Sequence, residues 1–395
     1  MKVLIAPMAV IMETSGPATR AAQLCQCLLD LGHTPAFCAA LDGNYREVPG
    51  ARNFECPIPS PFGLPMFLGR GMSKFATAMG APQRAAVHSF EQVLFFSGAL
   101  NKRYFADDVA ALRQAIQTLK PDVVYAEFRL SAIVAAKLEN VPVAAGFSYP
   151  VRAEYACDPK FSPRVREYIR QYGLPQLQSV LEVLDWADLK IVPSSHALEP
   201  IEGENIVFTG PFLPPALQSG ENKHKNIIAY VGTGTLAPDL LVKALTQAFR
   251  DSRYSVHIAS AQLKPFTQGN ITVGKRFDFS TLMPDAAAYI NHGGQNSIMT
   301  GLLYGVPQIV CPGRVFERKY NAESIVSLGA GIRMEAEDFT SDALSACMHE
   351  FEQNGVYAQN AKKAGEDLLS LGGVKNAVHA IMNLAESKKQ RSKCG

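Results

Sequence analysis

The sequence predicts an α/β protein built as two facing Rossmann-like domains with an interdomain cleft, and three observations predict it. Eleven short apolar runs recur with helical segments between them, the alternation that produces parallel sheets. A connector divides the chain near its middle: Gly210-Pro211-Phe212-Leu213-Pro214-Pro215, followed by the polar and charged Ser219-Gly220-Glu221-Asn222-Lys223-His224-Lys225. Each half also opens with the same device, a strand, a small-residue turn and a helix: KVLIAP before Ser15-Gly16, and IIAYVG before Thr233-Gly234-Thr235. The expected division is residues 1–210, a linker at 211–225, and residues 226–395, with the last helices able to pack back on the first domain.

In the first half the strand runs are KVLIAP, TPAFCAA, DVVYAEF, VAAGF, LKIVPS and NIVFTG. A helix from about Ala18 to Leu31 would place Leu24, Cys27/Leu28 and Leu31 on one face, and Gly32-His33 ends it. The segment Pro57 to Gly69 carries four prolines and no charge, so it is expected as a long loop. Its two readings are an apolar wall over a ligand pocket or shallow membrane contact, and a packed connector. In the second half the runs are IIAYVG, YSVHIAS, NITVG, AAYINHGG and PQIVCP. The basic tail Lys388-Lys389-Gln390-Arg391 is expected to fray.

Composition narrows the function. With 395 residues, 47% hydrophobic and 19% charged, and 38 Lys+Arg against 36 Asp+Glu, the chain is a folded protein with no broad polyelectrolyte surface. One Trp and 9% aromatic residues argue against a base-stacking platform, so small molecules lead as partners and nucleic acid does not. The eight cysteines are irregularly spaced and read as buried reduced thiols. The uncharged stretch Ala286 to Gly313 is long enough to span a bilayer, but contains Asn291, His292, Gln295, Asn296, Pro307 and Pro312 and is not a transmembrane helix. A first strand begins directly after Met1-Lys2, so the expected compartment is the cytoplasm.

The chemistry concentrates in Tyr289-Ile290-Asn291-His292-Gly293-Gly294-Gln295-Asn296-Ser297, a strand that stops at a glycine pair with a helix opening at about Asn296. Glycines let the backbone approach a ligand, the first helical N–H groups are unpaired, and the helix dipole favours negative charge there. A diphosphate fits, with His292, Asn296 and Ser297 as side-chain donors. The same turn, capped by Asn or Ser, also occurs in proteins that bind no nucleotide.

Over a longer stretch the sequence resembles the nucleotide-sugar glycosyltransferases of the macrolide, flavonoid and UDP-glucuronosyl type, which have the GT-B fold. The resemblance rests on Leu282-Met283-Pro284, His292 to Ser297, Gly305-Val306-Pro307, Pro312, and Glu317 with Asn321-Ala322, in the family's order and nearly its spacing. Weaker similarity runs through Gly32-His33, Pro121 to Tyr125, Thr209-Gly210-Pro211, Gly232-Thr233 and Gly372-Gly373-Val374. It implies a metal-independent, inverting hexosyltransferase that moves a sugar from a UDP- or dTDP-sugar co-substrate to a small, hydrophobic acceptor, with no bound cofactor. It also implies that His292, Gly293, Gly294, Asn296, Ser297 and Thr233 hold the diphosphate, and that Glu317 accepts hydrogen bonds from sugar hydroxyls.

The chain departs from the family in three places. Arg318 follows Glu317 where Gln is usual, either reading an acidic sugar or pointing to solvent. Thr300 stands where many members place a ribose-binding Glu. The family's general-base His would fall sixteen residues before His33, at Pro17, and its partner Asp would fall six residues after Pro121, at Glu127. Three explanations remain open: Glu127 or Glu13 acts as base, the acceptor is already strongly nucleophilic, or the protein binds nucleotide as a partner of another transferase. The second half's fold would equally suit a nucleotide-sugar epimerase or hydrolase. Glu127 could instead be a carboxylate buried against Arg129 or Arg152, and His88 is either a substitute base or a helix-surface histidine.

Overall fold

All eleven apolar runs form strands in the computed structural model, which describes residues 1–9, 15–65, 68–69, 71, 86–213, 225–232 and 235–394. The chain divides into one unit of Met1–Phe75, His88–Phe212 and Leu371–Gly395, and a second of Ala76–Val87 and Leu213–Ser370.

In the first unit, β1 (Lys2–Pro7), β2 (Thr34–Ala39), β3 (Arg52–Glu55), β4 (Val123–Glu127), β5 (Val143–Gly146), β6 (Leu189–Val192) and β7 (Ile206–Phe208) form a parallel sheet ordered β3-β2-β1-β4-β5-β6-β7. Strand order reverses at β1, flanked by β2 and β4, so the carboxyl ends of β1 and β4 open a crevice where ligands bind in such sheets. In the second unit, β8 (Asn226–Tyr230), β9 (Ser255–Ala259), β10 (Phe266–Gln268), β11 (Ile271–Gly274), β12 (Ala286–Asn291), β13 (Gln308–Val310) and β14 (Gly331–Arg333) are ordered β10-β11-β9-β8-β12-β13-β14. Only β10 against β11 is antiparallel, and the reversal falls between β8 and β12.

Three strands lie outside the apolar runs: β3, β10 and β14. β10 is exposed throughout and β3 is half-buried, so neither carries the continuous hydrophobic pattern of a central parallel strand. β3 is held partly by a side chain, since Asn53 exchanges hydrogen bonds of 3.0 and 3.1 Å with the Ala39 backbone.

The helices of eight or more residues used below are α1 (Ser15–Asp30), α2 (Phe90–Ser97), α3 (Lys102–Leu119), α4 (Gln295–Leu303), α5 (Phe316–Ser327) and α6 (Gly373–Cys394). α1 begins three residues earlier than its apolar pattern indicates, with Pro17 in the first turn, where a missing N–H costs nothing. Its core face is Ala21, Leu24, Cys25 and Leu28; Leu31, expected on that face, lies past the helix end and is 48% exposed. Of the cysteines expected to be buried, Cys27 is half-buried and Cys157 is exposed. The apolar loop includes a tight turn at Pro61–Gly63 in which Phe62 takes φ 54° and meets Phe95 and Phe96 of α2 edge-on. Leu68 and Gly69, expected in that loop, take helical conformation.

α6 closes the first unit. Ala377, Val378, Ile381 and Ala385 are buried in one cluster with Val3, Ile5, Leu24 and Leu28. The tail expected to fray is helical to Cys394, and Lys388 and Lys389 pair with Asp188 and Asp122 at 2.9 and 2.8 Å. Two acidic side chains near the amino ends of β4 and β6 supply the counter-charges that composition alone does not reveal. Among the described residues no helix is long and apolar enough to cross a membrane.

Ile381→Ala should cost about 2 to 5 kcal/mol in urea unfolding, because it opens a cavity in a closed core. Lys389→Ala, at a side chain 59% exposed, should cost less than about 1 kcal/mol in the same assay.

Candidate functional site

β12 is buried along its whole length and ends at Asn291, whose side chain turns the chain out of the sheet. Asn291 Oδ1 accepts from the Gly293 N–H at 2.8 Å, and its Nδ2 donates to Gln308 Oε1 at 2.8 Å. Gln308 Nε2 in turn donates to the Ile298 carbonyl at 3.0 Å, and Asn321 Nδ2 donates to the Gly293 carbonyl at 2.7 Å. Three buried primary amides therefore satisfy the turn from behind with no net charge.

The glycine pair is required by that geometry. Gly293 has φ 78°, and a Cβ there would stand 2.8 Å from the Arg318 carbonyl oxygen. Gly294 is the N-cap of α4, and a Cβ there would stand 2.6 Å from His292 Nε2. α4 starts at Gln295, one residue before the expected position, with no side-chain cap bond. An N-cap glycine puts no side chain over the first turn of α4, the place where the glycine turn implied a ligand.

His292 is half-buried beside Tyr230, whose ring meets it edge-on at 5.4 Å and whose carbonyl oxygen lies 3.4 Å from Nδ1. Burial, and then the charge of Arg318, push its pKa down to about 4, so the imidazole is neutral at pH 7. Ser297 is buried, and its hydroxyl bonds the Tyr289 phenol, whose pKa burial drives upward. Thr300, in the family's ribose position, donates to the Asn296 carbonyl at 2.7 Å. Glu317 is exposed in the first turn of α5, where a carboxylate suits the helix dipole. Arg318 does not point to solvent: it is half-buried and its Nη1 donates to Thr235 Oγ1 at 3.0 Å. Thr233 lies outside the described residues, as does Glu13. Tyr230 and Thr235 are site neighbours that motif reading did not single out; the repeated Gly-Thr after β8 is the signal that pointed toward Thr235.

At the reversal point of the first sheet, Glu127 ends β4 with 1% exposure. Its Oε1 accepts from Arg20 Nε at 2.7 Å and Nη2 at 2.6 Å, and its Oε2 accepts from the Tyr125 hydroxyl. The partner is thus Arg20 of α1. Neither arginine expected beside Glu127 is there: Arg129 pairs with Asp108, and Arg152 with Glu154 at 3.3 Å. Burial and the Glu127 charge hold the Tyr125 phenol protonated. A carboxylate so enclosed cannot meet an acceptor hydroxyl without leaving its partners. His88 is exposed ahead of α2.

Phe128, immediately after Glu127, takes φ 54°, a strained conformation for an aromatic residue. Its ring joins Met8, Leu94, Leu100, Tyr104 and Phe105 around a small cavity of about 20 Å³ that opens to solvent. Beside it Arg129 also donates to the carbonyls of Cys38 at 2.6 Å and Pro7 at 3.3 Å, and Ser131 bonds Asp108. The polar groups under this cavity are satisfied internally and its open face is apolar. Among the described residues no group of three or more His, Cys, Asp or Glu side chains is placed to hold a metal.

Two measurements check this geometry. Between the ordinary imidazole pKa of about 6.5 and the folded value, the unfolded chain binds more protons, so the stability due to neutral His292 is complete above about pH 6.5. It should fade as pH falls toward 4, with the His292 ring resonances in NMR unshifted between pH 8 and 6. Glu127→Gln should destabilise by about 3 to 5 kcal/mol in denaturant unfolding, since it breaks a buried ion pair.

Residues 233–384 match the family model for the erythromycin biosynthesis protein CIII-like C-terminal domain. The chain is 26% identical over 218 residues to an uncharacterized UDP-glucosyltransferase, YojK, of Bacillus subtilis, covering 51% of this chain and about half (53%) of that relative. It is 24% identical over 295 residues to the NDP-glycosyltransferase YjiC of the same organism, covering 66% of this chain and 72% of the relative. The calicheamicin glycosyltransferase CalG4 superposes over 98% of both chains with a TM-score of 0.72 at 17% identity, which shows the fold. The chain has the fold of the GT-B glycosyltransferases, and residues 233–384 are similar to the C-terminal domain of the macrolide type, erythromycin biosynthesis protein CIII.

Proposed function

We propose that the protein is an inverting, metal-independent glycosyltransferase that moves a sugar from a UDP- or dTDP-sugar to a small hydrophobic acceptor. The observation that carries the reading is the glycine turn after β12, bonded from behind by Asn291 and Asn321 and continuing into a helix without a side-chain cap. In this reading the Gly293, Gly294 and Asn296 backbone with His292 and Thr233 holds the diphosphate, and Glu317 orients the sugar hydroxyls. Ser297, in the first turn of α4, adds a further donor.

The first unit supplies the acceptor site, with the cavity around Phe128, Leu100 and Tyr104 as its apolar wall. Pro17 has no titratable group and Glu127 is sealed against Arg20. Glu13 lies outside the described residues, so it stays the other candidate base, and the acceptor this reading favours is one that needs little help losing its proton, such as an acidic phenol, a carboxylate or a thiol. The acceptor atom forms its bond to the anomeric carbon as the bond from that carbon to the β-phosphate oxygen breaks. The electron pair stays on the diphosphate, and any acceptor proton leaves to water. Rate then comes from orientation and from stabilising the departing diphosphate.

Calorimetric titration with UDP and dTDP tests the donor site, and turnover with a panel of phenols and carboxylic acids tests transfer. His292→Ala should weaken nucleotide binding and lower kcat/KM by about 100-fold, on the scale of losing one donor to a developing anion. Nucleotide binding without turnover on any acceptor would favour the reading as a nucleotide-binding partner of another transferase, which the missing histidine at Pro17 motivates. No nucleotide binding would reject both.

A further inference from the structure

Among the described residues two arginines are fully buried, and each has a carboxylate. Arg20 pairs with Glu127 and Arg129 with Asp108. Arg318 is half-buried and, among the described residues, makes no ion pair; its one side-chain hydrogen bond goes to the neutral hydroxyl of Thr235. Burial pushes its pKa down, with Glu317 only partly offsetting this from a distance. A desolvated cation without a counter-ion is costly to the folded state, so the fold holds it at a cost that a bound anion would relieve.

Its position names the anion. The Arg318 carbonyl packs against Gly293, closely enough that a Cβ there would stand 2.8 Å away. The guanidinium reaches Thr235 in the loop after β8, and Gly232 of that same loop lies against the His292 ring. The Arg318 charge also depresses His292. Arg318, Thr235 and His292 therefore border one place, the outward side of the glycine turn, and all three favour negative charge there. A sugar carboxylate beyond Glu317 would not need the guanidinium folded back onto Thr235.

We propose that Arg318 is a ligand of the donor's diphosphate and the fixed positive charge that stabilises it as the sugar departs. This rests on the donor site proposed above and makes Arg318 a catalytic residue in place of a sugar contact. The guanidinium offers several N–H donors and a full charge to the oxygen that keeps the electron pair of the broken bond. A stronger leaving-group clamp also suits a site whose usual base is absent.

The test uses the full chain with Arg318→Gln and Arg318→Lys, titrated with UDP and dTDP, the matching monophosphates, and uridine and thymidine. Arg318→Gln should weaken diphosphate binding ten- to a hundredfold and leave nucleoside binding within twofold, with Arg318→Lys recovering part of the loss. With a neutral donor sugar, kcat should fall more than KM rises. The melting temperature of the ligand-free Gln variant should stay the same or rise, and the His292 pKa read by NMR should move up from about 4. Diphosphate binding within twofold of wild type in the Gln variant would overturn the proposal. So would a loss confined to donors carrying a uronic acid, which would make Arg318 a sugar contact. A lower melting temperature with equal loss of nucleoside and diphosphate binding would overturn it too, by making the residue structural. If the wild-type chain binds no nucleotide, the donor-site reading fails and this proposal falls with it; the other outcomes reject the Arg318 role alone.

Discussion

The arrangement of the second unit depends on how a buried strand is allowed to end. β12 must leave the sheet through a turn whose backbone polar groups cannot all reach water, and every unpaired one would cost about 1 to 3 kcal/mol. Asn291, Gln308 and Asn321 solve this with uncharged amides, each both donor and acceptor. Because the turn is satisfied from the protein side, its other face carries N–H groups that need not be consumed internally. The glycines then follow from contact, one from the approach of the Arg318 carbonyl and the other from the approach of the His292 ring.

The reversal point of the first sheet is built in the opposite way. There the strand end is closed by internal partners: Arg20 and Tyr125 take up Glu127, and Asp108, which also accepts from Ser131, takes up the next cation, Arg129. What this unit turns outward is apolar, and the left-handed conformation at Phe128 helps present it. One unit therefore keeps uncompensated positive potential at its crevice while the other neutralises its charges. The two strand ends thus differ in polarity, one bordering the Arg318 guanidinium and the other an apolar wall.

The alternation of strands and helices was legible because parallel strands are buried on both faces and read as short unbroken apolar runs. β3, β10 and β14 escaped because edge strands are short and half-solvated, with Asn53 and its backbone partner supplying order that no hydrophobic pattern records. On α1 Leu24 and Leu28 are in the core as read, but the buried face is centred toward Ala21 and Cys25 and turns away from Cys27, which is only half-buried. The tail at Lys388 and Lys389 read as frayed because its acidic partners, Asp188 and Asp122, are far away in the chain.

By itself the sequence determined the α/β class, the glycine turn with its histidine and helix start, and the absence of a histidine at Pro17. Each is a local property: a run of apolar residues, a backbone conformation open mainly to glycine, a side chain that cannot titrate. Only the tertiary structure decided the partner of each charge. Glu127 meets Arg20, 107 residues away, Arg129 meets Asp108, and Arg318 meets a hydroxyl where a carboxylate was free to stand. Pairing depends on which strand ends and helix faces come together, and electrostatic energy inside a protein depends on distance and burial, neither of which is a property of the residues alone.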